Sequence, residues 1–180
     1  AVNNLDTVLS DTDWRVRVEA VRALASLGAA ADKDASQAVQ RLIAMAAREI
    51  DKFRAGNPIA AGRSTHVLLE IINAAIALPS GGERVLARLE EAGWNTPGRF
   101  ADTVQGDVAR VHCALAFAAD VRGKTVRRVR TCGNATLLAW RRAELETRVL
   151  SRVGEDGVEP LLRFTVHKDP RVRAAAVTSL

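Results

Sequence analysis

The chain has 180 residues, 48% hydrophobic and only 4% aromatic, with no Tyr, and its 26 Lys and Arg against 21 Asp and Glu leave a formal charge of +5. This apolar content suffices for one sizeable core, or one continuous seam through stacked repeats, and the dominance of Ala, Leu, Val and Arg is an all-α composition. No signal peptide is visible and no apolar run approaches the ~18 to 20 residues that span a bilayer, so a soluble, cytoplasmic protein without a membrane partner is expected.

Val2 to Leu9 reads as a short helix ending at the polar run Ser-Asp-Thr-Asp. Trp14 to Leu27 follows as an amphipathic helix, with Asp13 as N-cap, Gly28 as the C′ residue, and Val16, Ala20, Leu24 and Leu27 on one face. Ala29 to Ala35 reads as a linker, and Gln37 to Phe53 as a helix stopped by Gly56-Asn57-Pro58. Ser64 is read as the cap of an almost fully buried helix reaching Leu78, ended by Pro79-Ser80-Gly81-Gly82. Glu83 to Ala92 is a short amphipathic helix, and Gly93 to Gly98 a loop in which the role of Trp94 stays open. From Phe100 to Ala119 the pattern is helical but interrupted near Gly106, and residues 79–105 match no recognisable motif. Asp120 to Thr125 reads as a tight turn and Val126 to Trp140 as a helix with a basic start, containing Gly133 at the cost of about 1 kcal/mol relative to Ala as for a close helix crossing, with Trp140 in the core. Leu145 to Val153 and Val158 to Val166 are further helical segments, and Pro170 stands at the first position of the last helix.

The Asp13-Trp-Arg-Val-Arg pattern returns as Asp169-Pro-Arg-Val-Arg, 156 residues later, which equals four periods of 39. About nine helices in pairs of roughly 40 residues have the period of HEAT and armadillo units. The expected fold is therefore an α-α superhelix, a solenoid of four to five or more antiparallel helix pairs sharing one core. A single domain over residues 1–180 is expected. Because the chain begins at Ala1 without Met and stops at Leu180 within a helical pattern, it is read as a fragment of a longer protein.

Catalytic and cofactor chemistry find little support. Gly123-Lys124-Thr125 has Ala118 where a P-loop requires its first glycine, and no strand precedes it. His112, Cys113 and Cys132 lack paired metal-ligand spacing, and His66, His112 and His167 converge on no pattern of acid, base and nucleophile. Neither cofactor nor metal is expected, and the chain is read as a non-enzyme without a small-molecule substrate. The two cysteines fall in predicted helices among apolar residues and read as free, buried thiols, hence a reducing compartment. Asn134-Ala-Thr136 is a formal glycosylation sequon inside a predicted helix and is discounted.

The motif Asp-x-x-Val-Arg-x-x-Ala-x-x-x-Leu resembles the second helix of HEAT repeats. Asp13-Trp14 with Arg17 and Val18 at the first internal turn resembles the opening of TOG domains, the tubulin-binding HEAT arrays. Arg63-Ser64 at the start of a buried helix, the basic Gly123 to Cys132 stretch running on to Leu137-Leu138-Ala139-Trp140, and Asp169 to Arg173 are similar to the TOG domains of the cytoplasmic linker-associated proteins. TOG domains usually have six repeats, so a shortened or truncated array is implied.

The resemblance implies a non-catalytic module that binds αβ-tubulin or microtubules and is cytoskeleton-associated. It places internal turns along one edge, with Trp14 as aromatic anchor and Arg63, Lys124, Lys168 and Arg171 as cationic contacts to an acidic surface. A Trp directly after its cap cannot easily enter the packing seam, and cations on one edge add steering more than affinity. Trp14 as a half-buried cap and the Arg122 to Arg130 run as a solvated face are the alternatives at those positions. The basic charge also allows a nucleic-acid-binding HEAT array of the alkylpurine DNA glycosylase type, and a generic HEAT interaction scaffold is the third reading.

Overall fold

The computed structural model describes residues 3–30, 32–55, 57–94, 105–132 and 139–180. Among them are nine α-helices, one 3-10 turn and no strand: α1 (Asn3–Val8), α2 (Trp14–Ala30), α3 (Asp32–Ala55), α4 (Pro58–Ala77), α5 (Gly82–Glu90), α6 (Gln105–Gly123), α7 (Ala139–Leu150), α8 (Val158–Phe164) and α9 (Pro170–Ser179). No helix is long and apolar enough to cross a membrane among the described residues. The chain forms two compact units, residues 1–111 and 112–180, and α6 runs from the first into the second.

In the first unit α2 packs on α1, α3 and α4, while α5 packs on α3 and α4. Leu24, Leu42, Met45, Leu68, Ile71, Ile72 and Leu89 are fully buried there and form its core. Trp94 is buried as well. Its Nε1 donates to the Leu89 carbonyl at 2.8 Å and its ring meets Phe53 edge-on at 5.3 Å, which gives the indole both an apolar bed and a satisfied polar end. Gly81 adopts φ 74°, and a Cβ there would lie 2.8 Å from Val39 Cγ2, so the break before α5 needs glycine on both counts.

Several sequence expectations are corrected in this unit. Gly28 does not end its helix: it is buried within α2, which continues to Ala30, and α3 already begins at Asp32, so the described residues of the expected linker are helical. Ser64 is not a cap. The fourth helix starts six residues earlier, with Pro58 at its first position and Asn57 accepting from the Ala60 amide at 3.0 Å, which leaves Ser64 buried mid-helix. The apolar stripe of α2 is also rotated from the expected one. Val16 and Leu27 are exposed, whereas Arg17, Val18, Ala20, Val21 and Leu24 are buried. Arg17, only 4% exposed, is accommodated by Glu49 on α3: Nε lies 2.9 Å from Oε1 and Nη2 donates to Oε2 at 3.3 Å. Lys52 adds a second hydrogen bond to the same carboxylate at 2.9 Å. Opposite charges brought together in this way avoid the large cost of an unpaired buried ion.

In the second unit α7 packs on α8 and α9, and α8 packs on α9. A Cβ on Gly157 would collide with the Leu150 carbonyl, so only glycine lets the 3-10 turn Glu155–Gly157 fold under the end of α7. Among the described residues the expected helix does not start at Val126: residues 127–131 form turns. The cause is Asp120, whose buried carboxylate accepts from the backbone amides of Arg128 and Val129, each at 2.9 Å, and from the Thr125 hydroxyl at 2.7 Å. A carboxylate that binds two successive amides supplies the partners a helix would otherwise need. Gly133, the Asn134 sequon and Leu137-Leu138 lie outside the described residues.

That turn carries Cys132 back to α6, where it is bonded to Cys113 with the Cα atoms 5.0 Å apart. The reading of two free thiols is corrected, and the inference of a reducing compartment loses its support. Trp140 is likewise not a core residue; it is half-buried near the start of α7.

Candidate protein-interaction site

The two copies of the repeated motif build the same turn. Asp13 and Asp169 each accept from the amide two residues on, at 2.9 and 3.0 Å, and each carboxylate is held by the guanidinium of that residue, Arg15 or Arg171, at 2.7 Å. The hydrogen-bonded Arg15 side chain and amide, helped by the charges of Arg15 and Arg63, hold the Asp13 carboxyl down at about 2. The Arg171 side chain does the same to Asp169, also about 2. The second arginine of each motif reaches back under the turn. Arg17 Nη1 donates to the carbonyls of Asp11 and Thr12 at 2.8 and 3.2 Å, and Arg173 Nη1 to those of His167 and Lys168 at 2.9 and 3.1 Å.

Each turn also carries an aromatic grouping. In the first unit Trp14 is half-buried, one face stacked on the His66 ring of α4, with centroids 4.8 Å apart and planes inclined by 22°. Arg63 is exposed one helical turn before His66, and its charge is felt at Asp13, so Trp14, Arg63 and His66 share one surface patch. His66 was not singled out from the sequence as a member of this site. Its spacing of three from Arg63 is a signal that could have found it. In the second unit Arg171 lies over the Trp140 ring, with Cζ 3.7 Å from the centroid, and Arg141 is 5.6 Å from it.

Lys168 is exposed on the turn that Arg173 braces, so it and Arg171 lie together at the start of α9. Lys124 is exposed after α6 at φ 50°, on a different turn of the same unit, and shares no described hydrogen bond or ion pair with either. The five residues thus fall into a Trp14 and Arg63 pair in the first unit, a Lys168 and Arg171 pair in the second, and Lys124 separately. Of the basic run, Arg130 is bound by Glu146, with Nε 2.8 Å from Oε1, while Arg127 and Arg128 are exposed.

Among the described residues no cluster of three or more His, Cys, Asp or Glu side chains could hold a metal ion. Compared with family models, curated proteins and solved structures, the chain matches none.

Proposed function

We propose that the chain is a non-catalytic, HEAT-like α-solenoid module that binds a protein partner through its cap turns, and that the partner is αβ-tubulin. The observation that carries this reading is the Trp14 patch: a large ring left half-exposed, held rigid against His66 and flanked by the exposed Arg63. A fixed aromatic anchor beside a cation suits an acidic protein surface, since little side-chain entropy remains to be lost on contact. The near-identical hydrogen bonding of the two cap turns, 156 residues apart, supports a repeat architecture. The TOG-like spelling of the first turn is the ground for choosing tubulin.

Protein is favoured over nucleic acid because much of the basic charge is already spent. Arg15, Arg22, Arg41, Arg88, Arg110, Arg141, Arg163 and Arg171 all pair with carboxylates at the surface. Fewer cations are then free to displace counterions from phosphates.

The test is comigration of the 180-residue chain with αβ-tubulin on size-exclusion chromatography. The wild-type chain is expected to comigrate and Trp14→Glu to elute alone with unchanged helical content. Comigration of Trp14→Glu like the wild type would remove the site. Failure of the wild type, together with salt-sensitive binding of duplex DNA, would replace tubulin by nucleic acid.

A further inference from the structure

We propose that the outer face of α8 and α9 is a docking site for an amphipathic helix that carries one carboxylate in an otherwise apolar face, seated as α3 is seated on α1 and α2. The proposal goes beyond the tubulin reading and does not depend on it.

The internal repeat supplies the evidence, because the positions of this face have counterparts 156 residues earlier, three of which are bonded to α3. Arg173 corresponds to Arg17. Both guanidiniums give Nη1 to two turn carbonyls, but Arg17 gives its remaining edge to Glu49 of α3, whereas Arg173 has no carboxylate partner among the described residues. Val177 corresponds to Val21; the first is 64% exposed and the second is fully buried in the unit where α2 packs on α3 and α4. Leu162 and Val166 correspond to Asp6 and Ser10, which are the residues of the first unit that α3 grips through Arg41 at 2.9 Å and Arg48 at 3.1 Å. In place of those polar groups the second unit presents Leu162 at 52% and Val166 at 82% exposure.

The chemistry of the occupant follows from these substitutions. An exposed aliphatic group at each of three sites calls for apolar partners. A half-satisfied guanidinium beside them calls for a single carboxylate, which would be shielded from water by the same contact and accept the free edge in a fork. A helix like α3 with Leu where α3 has Arg41 and Arg48, and with Glu49 kept, has this face.

The probe is therefore a labelled synthetic peptide of the α3 sequence, Asp32–Ala55, with Arg41→Leu and Arg48→Leu, titrated into the full 180-residue chain and followed by fluorescence anisotropy. Saturable binding is expected, weakened at least tenfold by Leu162→Asp or Val177→Asp in the protein. Both residues are exposed, so circular dichroism of these variants should match the wild type. Glu49→Gln in the peptide and Arg173→Gln in the protein should each weaken binding about tenfold, and the two together no more than either alone. Absence of saturable binding overturns the proposal, as does binding indifferent to Val177→Asp, which would mean that the peptide merely replaces the chain's own α3. Dimerisation of the chain alone, abolished by Val177→Asp, would also overturn it by making a second copy the occupant.

Discussion

At the start of α2, Arg17 reaches back to the carbonyls of Asp11 and Thr12 and is then sealed against Glu49; at the start of α9, Arg173 reaches back to His167 and Lys168 in the same manner and has no carboxylate beyond them among the described residues. The valines between the motif's arginines differ as well, Val16 being 36% exposed and Val172 fully buried. Farther along, the order reverses: Val21 is buried and Val177 exposed. One local sequence thus fixes the cap, while the neighbours decide which side of the helix is covered. In the first unit α3 and α4 cover one side of α2, and in the second α7 and α8 cover α9.

The largest break in this comparison is expected from Glu49→Ala, which strands Arg17 as a buried, unpaired ion and should cost about 3–5 kcal/mol in urea unfolding. Replacing both partners, as Arg17→Met with Glu49→Leu, should recover most of that loss. Arg173→Met removes only two carbonyl bonds from a half-buried side chain and should cost about 1 kcal/mol. Smaller again is the stack of Arg171 on Trp140, worth about 0.5–1 kcal/mol beyond packing and read as the coupling energy of Trp140→Ala with Arg171→Ala in a double-mutant cycle.

Acid separates the shared part of the two turns from the rest. Asp13 and Asp169 both have folded pKa values near 2, below the unfolded value of about 3.9. Their contribution is therefore complete above pH 4 and lost as the pH falls toward 2. Asp13→Asn and Asp169→Asn should each lower the urea midpoint at pH 6 and flatten its decline between pH 4 and pH 2. Equal slopes in variant and wild type would mean that the caps do not carry the acid sensitivity.

What could be read from the sequence was what neighbours in the chain determine. The caps Asp13 and Asp169, the proline that opens α9, the all-helical class and the recurrence of one motif all rest on contacts within a few residues. The misreadings at Arg17, at Val126 and at the two cysteines came from partners farther along the chain. Arg17 looks like a polar-face residue until Glu49, 32 residues on, is placed beside it. The basic stretch from Val126 carries an acceptable helical pattern, and only the Asp120 carboxylate, eight and nine residues upstream of the amides it binds, diverts it. The bond between Cys113 and Cys132 becomes possible only after that diversion. At the candidate site the exposed cations were readable as residue types, but the His66 ring under Trp14 comes from the packing of α4 on α2.

The most direct test of the account is the unfolding free energy of four variants measured together, Val16→Ala, Val172→Ala, Val21→Ala and Val177→Ala. Val172→Ala and Val21→Ala should each lose about 2 kcal/mol through lost burial and the cavity left behind, while Val16→Ala and Val177→Ala should stay within about 0.5 kcal/mol of wild type. Equal losses at Val16 and Val172, or at Val21 and Val177, would contradict the claim that the two copies of the motif bury different faces of the same helix, overlapping only at Ala20 and Ala176.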